Sequence, residues 1–219
     1  EECPYWKQGL WLGLSLAGVF AGSLHLGVMA LVLVAAQVIA TASAVRRTAL
    51  VLLVAAGAFL LATSYWTIPA LVQATPSVIE SFDGRHLDAF ATTVHPQLGP
   101  VGTVLALAGF WGEREPWAEA FVWAEDVPWV WGIAGSILAA GLLWGVAQGL
   151  RMRAFRRQTL ALLLLAVFAL VASVGMAESP VQGLNRWAFE HLPFWSGFRD
   201  SQKWSALLVV VYAWLPGLA

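Results

Sequence analysis

Four stretches of the chain, 24–45, 48–71, 128–150 and 158–177, carry no formal charge, and each reaches the roughly 20 residues a helix needs to cross a bilayer. Arg46 and Arg47 sit between the first two, and Arg151, Arg153, Arg156 and Arg157 between the last two. These clusters hold six of the twelve basic residues and none of the thirteen acidic ones. A bilayer imposes that partition, because Lys and Arg accumulate in short cytoplasmic loops. The chain is therefore read as polytopic and integral to a membrane, with the Arg46-Arg47 and Arg151–Arg157 loops cytoplasmic. Only 11% of its residues are charged, against about a quarter in a soluble domain.

The spans must be helices, since unpaired backbone in hydrocarbon costs several kcal/mol per group and no alternating pattern supports a barrel. A further apolar run, 204–219, reads as a shortened span, and 9–22 as a short helix leading into 24–45 through a tight hairpin. The pairs Gly18/Gly22 and Gly141/Gly145 have the spacing that lets membrane helices approach closely. Residues 97–111 pose a conflict. If they crossed, parity would put Arg151–Arg157 opposite Arg46-Arg47, so they are expected to form a re-entrant or interfacial helix on the outer side. The expected fold is all-α: a polytopic transmembrane bundle of five to six membrane-embedded helices plus that re-entrant helix, one transmembrane domain over 1–219. The opening Glu-Glu-Cys-Pro and the apolar close suggest an internal piece of a longer membrane protein.

With this topology the outer face gathers 72–96, 112–127 and 178–203, which hold eleven of the thirteen acidic residues, and eight of the thirteen tryptophans lie in or beside them. An interfacial aromatic belt accounts for part of that asymmetry, and indoles such as Trp195 also offer flat faces for a sugar or prenyl chain. In the segment Pro193-Phe-Trp-Ser-Gly-Phe-Arg-Asp-Ser-Gln-Lys-Trp, Arg199 and Lys203 are four apart and would share a helix face around Asp200. Such a pair can grip a lipid-linked phosphate, although anchoring at the headgroups is the blander explanation. Asp83 and Asp88, in the loop that also carries Glu80 and His86, are candidate general bases or oxygen ligands for a divalent cation. His25 is an ionisable group within apolar sequence and a candidate binding residue.

Several classes are disfavoured. A net charge of −1 leaves no basic face for nucleic acid. The four histidines are far apart, Cys3 is the only cysteine, and no zinc spacing, P-loop, GxSxG or dinucleotide fingerprint occurs. No cofactor is evident, and a divalent cation at the Asp83–Asp88 loop is the one cofactor left open.

The series "SYWTIPAL", "SFDGRHLDAF", "LALAGFW" and "PFWSGFRDSQKWSALLVVVYAWL", spread over Ser64 to Leu215, resembles large bacterial and archaeal membrane proteins similar to the GT-C class of glycosyltransferases, including the arabinofuranosyltransferase-like proteins. The resemblance implies a prokaryotic plasma-membrane enzyme that moves sugar from a polyprenyl-phosphate donor to a cell-envelope acceptor on the outer face. It also implies a catalytic acid in a first outer loop that is expected to precede these residues, leaving Asp83 and Asp88 as substitutes by location and Arg199 and Lys203 as contacts to the donor phosphate. The rival expectation is a non-catalytic membrane module: a lipid flippase, a transporter or an envelope-assembly scaffold. The uncharged spans weigh against an ion-coupled transporter.

Overall fold

The computed structural model describes residues 4–41, 45–72, 83–114, 127–192 and 195–218. It is helical, with no strand among the described residues. The chain divides into two compact units, Glu1–Pro76 and Ser77–Ala219. Three helices have the length and apolarity to cross a membrane: Val45–Pro69, Pro128–Arg151 and Arg156–Val174.

The first unit holds α1 (Tyr5–Gly22), α2 (Leu24–Thr41) and α3 (Val45–Val72). Any Cβ added at Gly9 would lie 2.6 Å from the Val51 carbonyl oxygen, and one at Gly13 would strike the Ala55 carbonyl. Both glycines are needed because the two backbones touch there. The register advances in the same direction along both helices, so α1 and α3 are parallel, and Tyr5 shares a shallow surface hollow with Arg46 and Arg47. Ser23, in extended backbone, separates α1 from α2, and Phe20 packs on Gly27 across the break. The tight turn expected there is present, but α1 is a full 18 residues rather than a short lead-in.

The second unit contains α4 (Gly84–Ala89), α5 (Gly99–Leu105), α6 (Pro128–Arg151), α7 (Arg156–Val174), α8 (Gln182–His191) and α9 (Ser205–Trp214). Short 3-10 turns occupy Trp111–Arg114, Trp195–Phe198, Ser201–Trp204 and Pro216–Leu218. α7 is the central element: Leu162, Leu165, Ala169, Ala172, Ser173 and Val174 are all buried, and α5, α6, α8 and α9 pack around it. Pro128 starts α6 where a missing N–H costs nothing. The reversal between α6 and α7 leaves Arg151, Arg153, Arg156 and Arg157 exposed together. The inner part of α6 is locked in place, since a Cβ at Gly145 would strike the Leu215 carbonyl and one at Gly149 the Thr159 hydroxyl.

Three expectations are corrected. The run 204–219 forms only a 10-residue α-helix between 3-10 turns, because Pro216 cannot continue it. The run 24–45 gives an 18-residue helix ending at Thr41. Gly18 and Gly22 face open space and Gly141 has only ordinary contact with Pro216, whereas the pairs that seat neighbouring backbone are Gly9/Gly13 and Gly145/Gly149. Within 97–111 the helix is limited to α5. The Thr93 N–H donates to the Gly109 carbonyl at 3.0 Å, so this excursion starts and finishes at one place.

Gly13→Leu should lower the unfolding midpoint of the detergent-solubilised protein, at a cost of about 1–3 kcal/mol for overpacking. Gly18→Leu, facing open space, should leave the midpoint nearly unchanged. Equal midpoints for the two variants would contradict the notch.

Candidate functional site

Threonines and serines tie the loop segments to the end of α7. The Thr92 hydroxyl, fully buried, donates to the Ser173 carbonyl at 2.8 Å. Having one proton, it must accept from the Ser201 hydroxyl at 3.2 Å and from Gln202 Nε2 at 3.5 Å. α7 stops at Gly175, whose positive φ of 57° suits glycine and whose missing side chain leaves room for Ser201. The Thr103 hydroxyl donates to the Gly99 carbonyl at 2.6 Å and accepts from the His95 N–H at 3.0 Å. Asn185 in α8 donates to the Val171 carbonyl at 3.0 Å. The bonds to Ser173 and Val171 satisfy carbonyls in the last turn of α7 that would otherwise be orphaned in a dry setting.

Aromatic and cationic groups gather on the same knot. The Arg199 guanidinium stands 4.6 Å from the Phe90 ring centroid, and Phe90 meets Trp111 edge-on at 4.6 Å. Trp204, 2% exposed, is stacked against Phe198 at 4.6 Å and Trp195 at 5.6 Å and takes the edge of Phe168. Trp195 itself is half-buried. Lys203 Nζ lies 3.5 Å from Asp200 Oδ2, while Asp200 Oδ1 is buried with no hydrogen-bond partner among the described residues.

Beside this knot opens an apolar cleft of about 1160 Å³ between α5, α6 and α9. Its walls include Leu98, Leu105, Trp131, Gly135, Leu138 and Leu142, and its polar groups are His95, Gln97 and Tyr212. The Tyr212 hydroxyl donates to the Leu105 carbonyl at 2.8 Å, pinning α9 to the end of α5. Every residue of α6 from Pro128 to Ile137 is exposed, so this half of the helix stands away from the unit and forms the open wall. The size is that of a site for a substantial ligand.

Two carboxylates are tuned in opposite directions. Asp83 caps α4: its side chain accepts from the Arg85 and His86 N–H groups, pairs with Arg85 Nη2 at 2.9 Å and lies 2.8 Å from His86 Nδ1. The Arg85 hydrogen bonds, followed by that of His86, hold its carboxyl well below the usual range. It is thus a weak base engaged in local structure. Burial pushes the Glu113 carboxyl up, opposed by hydrogen bonds from backbone N–H groups and by the charge of His95.

The remaining candidates scatter. Asp88 pairs with Arg186 of α8 at 3.2 Å across an exposed surface. Arg199 precedes, and Lys203 lies within, a 3-10 turn, so they do not share an α-helical face as the four-residue spacing suggested. Asp200 caps that turn by position but makes no side-chain capping bond. His25, in the first turn of α2, belongs to the other unit. Glu80, Glu115, Glu119, Glu125 and Asp126 lie outside the described residues. Among the described residues no group of three or more His, Cys, Asp and Glu could hold a metal ion. Sequence reading did not single out Phe90, His95, Trp111 or Glu113 as site residues. The available signal was the glycine- and proline-marked excursion from Thr93 to Gly109, with His95 near its start and Glu113 just past its end.

No protein-family model, curated protein or solved structure matches the chain.

Thr92→Val keeps the shape of the knot but leaves the Ser173 carbonyl without its donor. The variant should lose about 1–3 kcal/mol, measured as a lower unfolding midpoint in detergent. A midpoint equal to that of the parent would remove Thr92 from its structural role.

Proposed function

We propose that this chain is part of an integral-membrane glycosyltransferase-like protein that takes sugar from a polyprenyl-phosphate donor and passes it to a cell-envelope acceptor at the outer face of a prokaryotic plasma membrane. The observation that carries the reading is the presence, within one unit, of a large apolar cleft and of a knot bearing arginine and indoles. The cleft suits a prenyl chain, whose burial contributes about 0.8 kcal/mol per CH₂ in aqueous terms. Arg199 offers a planar fork to the phosphate, with Lys203 as a second cation already balanced by Asp200. Trp195 presents a face to the sugar. A lipid flippase or scaffold is the alternative, and it would share the cleft.

The orientation puts the Arg46-Arg47 and Arg151–Arg157 ends in the cytoplasm. The parallel packing of α1 on α3 supports it, because Lys7 in the first turn of α1 then joins Arg46 and Arg47 at one end. The excursion from Thr93 to Gly109 is the re-entrant segment of this topology. Its irregular backbone is tolerated because protein lines it.

Two tests follow. Arg199→Ala should weaken binding of a long-chain prenyl monophosphate in nanodiscs at least about tenfold, the equivalent of one charge-assisted hydrogen bond. Lys203→Ala should cost less, and unchanged affinity for the arginine variant would refute the clamp. In a Cys3→Ser background, Glu178→Cys should react with a membrane-impermeant maleimide in intact cells and Arg153→Cys only after permeabilisation. The reverse pattern would invert the topology.

A further inference from the structure

We infer that the hollow at the Arg46-Arg47 end of the first unit holds the phosphate headgroup of an anionic phospholipid, with Arg46 as its charged contact and Tyr5 as a wall. This site belongs to the first unit, and the transfer reading, which concerns the second, is not needed for it.

The hollow follows from the register of α1 on α3. Gly9 lies on the Val51 carbonyl and Gly13 on that of Ala55, so Tyr5, one turn before Gly9, comes level with Arg47. The two helices also start together, α1 at Tyr5 and α3 at Val45. Where they start, a hollow of about 480 Å³ is left between them, lined by Tyr5, Val45, Arg46, Arg47 and Leu50. Its walls are thus of two kinds, aliphatic or aromatic surface and guanidinium.

Bilayer depth selects the occupant. The apolar part of α3, Val45–Pro69, has 25 residues, which at about 1.5 Å each outreach the roughly 30 Å of hydrocarbon. Arginine leaves the hydrocarbon for the headgroups, so the first turn of α3 lies at the level of the lipid phosphates. The neighbouring turn of α1 suits the same level. There Lys7 Nζ stands 5.4 Å from the centroid of the exposed Trp6 ring, a cation and an indole at the place where both are enriched.

The charge at the hollow is not spent within the protein. The exposed Arg46 guanidinium makes no ion pair or hydrogen bond among the described residues, and neither α1 nor α3 has an acidic residue in its first turn. A guanidinium meets two phosphate oxygens in a planar fork, while Val45, Leu50 and the Tyr5 ring suit the hydrocarbon joined to that phosphate. An anion attached directly to an apolar chain is the chemistry of a phospholipid. The arginines between α6 and α7 supply the contrast. They are also exposed and more numerous, so attraction by diffuse charge alone would favour them.

The test uses the whole chain in detergent, with phosphatidylglycerol, phosphatidylcholine and inorganic phosphate as probes and retained lipid counted by native mass spectrometry. The wild type should bind phosphatidylglycerol about tenfold more tightly than phosphatidylcholine, which carries the same phosphate without net charge. Arg46→Gln should lower phosphatidylglycerol affinity about fivefold, the contribution of one arginine near an anionic headgroup. Tyr5→Ala, which keeps every arginine, should lower it about threefold by removing a wall, and Arg153→Gln should leave it unchanged. Folding of each variant is checked by its unfolding midpoint, and Tyr5→Ala decides the matter if Arg46→Gln does not fold. Equal losses from Arg46→Gln and Arg153→Gln would show diffuse attraction and overturn the site. Undiminished affinity in Tyr5→Ala would do the same, and displacement of the lipid by millimolar inorganic phosphate would overturn the lipid as occupant. Binding of prenyl monophosphate, which tests the transfer reading, stands or falls separately.

Discussion

Helices surrounded by lipid gain little by hiding apolar surface from one another, because lipid tails are as apolar as leucine. What joins them must be close steric fit or hydrogen bonding, and both devices are visible here at definite residues. Gly9 and Gly13 let α1 lie on the carbonyls of α3, and Gly145 and Gly149 let α6 lie on Leu215 and Thr159. At the other end of the second unit the join is made by hydroxyls, with Thr92 bonded to Ser173 and Ser201. The cleft follows from this division. α6 is gripped only where its glycines are, so its Pro128–Ile137 half stands clear, leaving a space that α5 and Tyr212 close on the far side.

The parts of the fold legible in the sequence are those that the bilayer itself writes. Uncharged length located α3, α6 and α7 to within a few residues, and paired arginines located the α6–α7 reversal. The short elements were less readable, because apolar composition sets no lower limit on helix length. The run after Trp204 looks like a span until Pro216 is taken as its end. Glycine spacing was equally ambiguous. Gly18/Gly22 and Gly9/Gly13 have the same separation, and only the presence of a facing backbone distinguishes a notch from a gap.

The site was legible in its composition and not in its arrangement. Arginine, indoles and carboxylates were marked as belonging together on one face, and Arg199, Phe90 and Trp111 do form a continuous contact. Which carboxylate is suited to proton transfer could not be read from spacing, because suitability depends on solvation. Asp83 lies beside Arg85 and His86 in sequence, so its chemistry is consumed locally in a cap. Glu113 accepts from the Gly109 N–H, and Gly109 is held by Thr93, a pairing between residues sixteen positions apart that no local pattern announces.

That bond also explains how a membrane protein can keep a buried acid without destabilising a span. The excursion from Thr93 to Gly109 returns to its origin, so its polar backbone is satisfied against its own arms and Thr103. The spans can then remain uncharged while the returning arm carries the partly buried Glu113, bonded to the Gly109 N–H. Environment, rather than residue type, separates the roles of the two acids: hydrogen bonds keep Asp83 ionised, whereas burial raises the proton affinity of Glu113. A short, folded-back segment is thus the economical place for an ionisable group in a unit whose cleft walls are apolar.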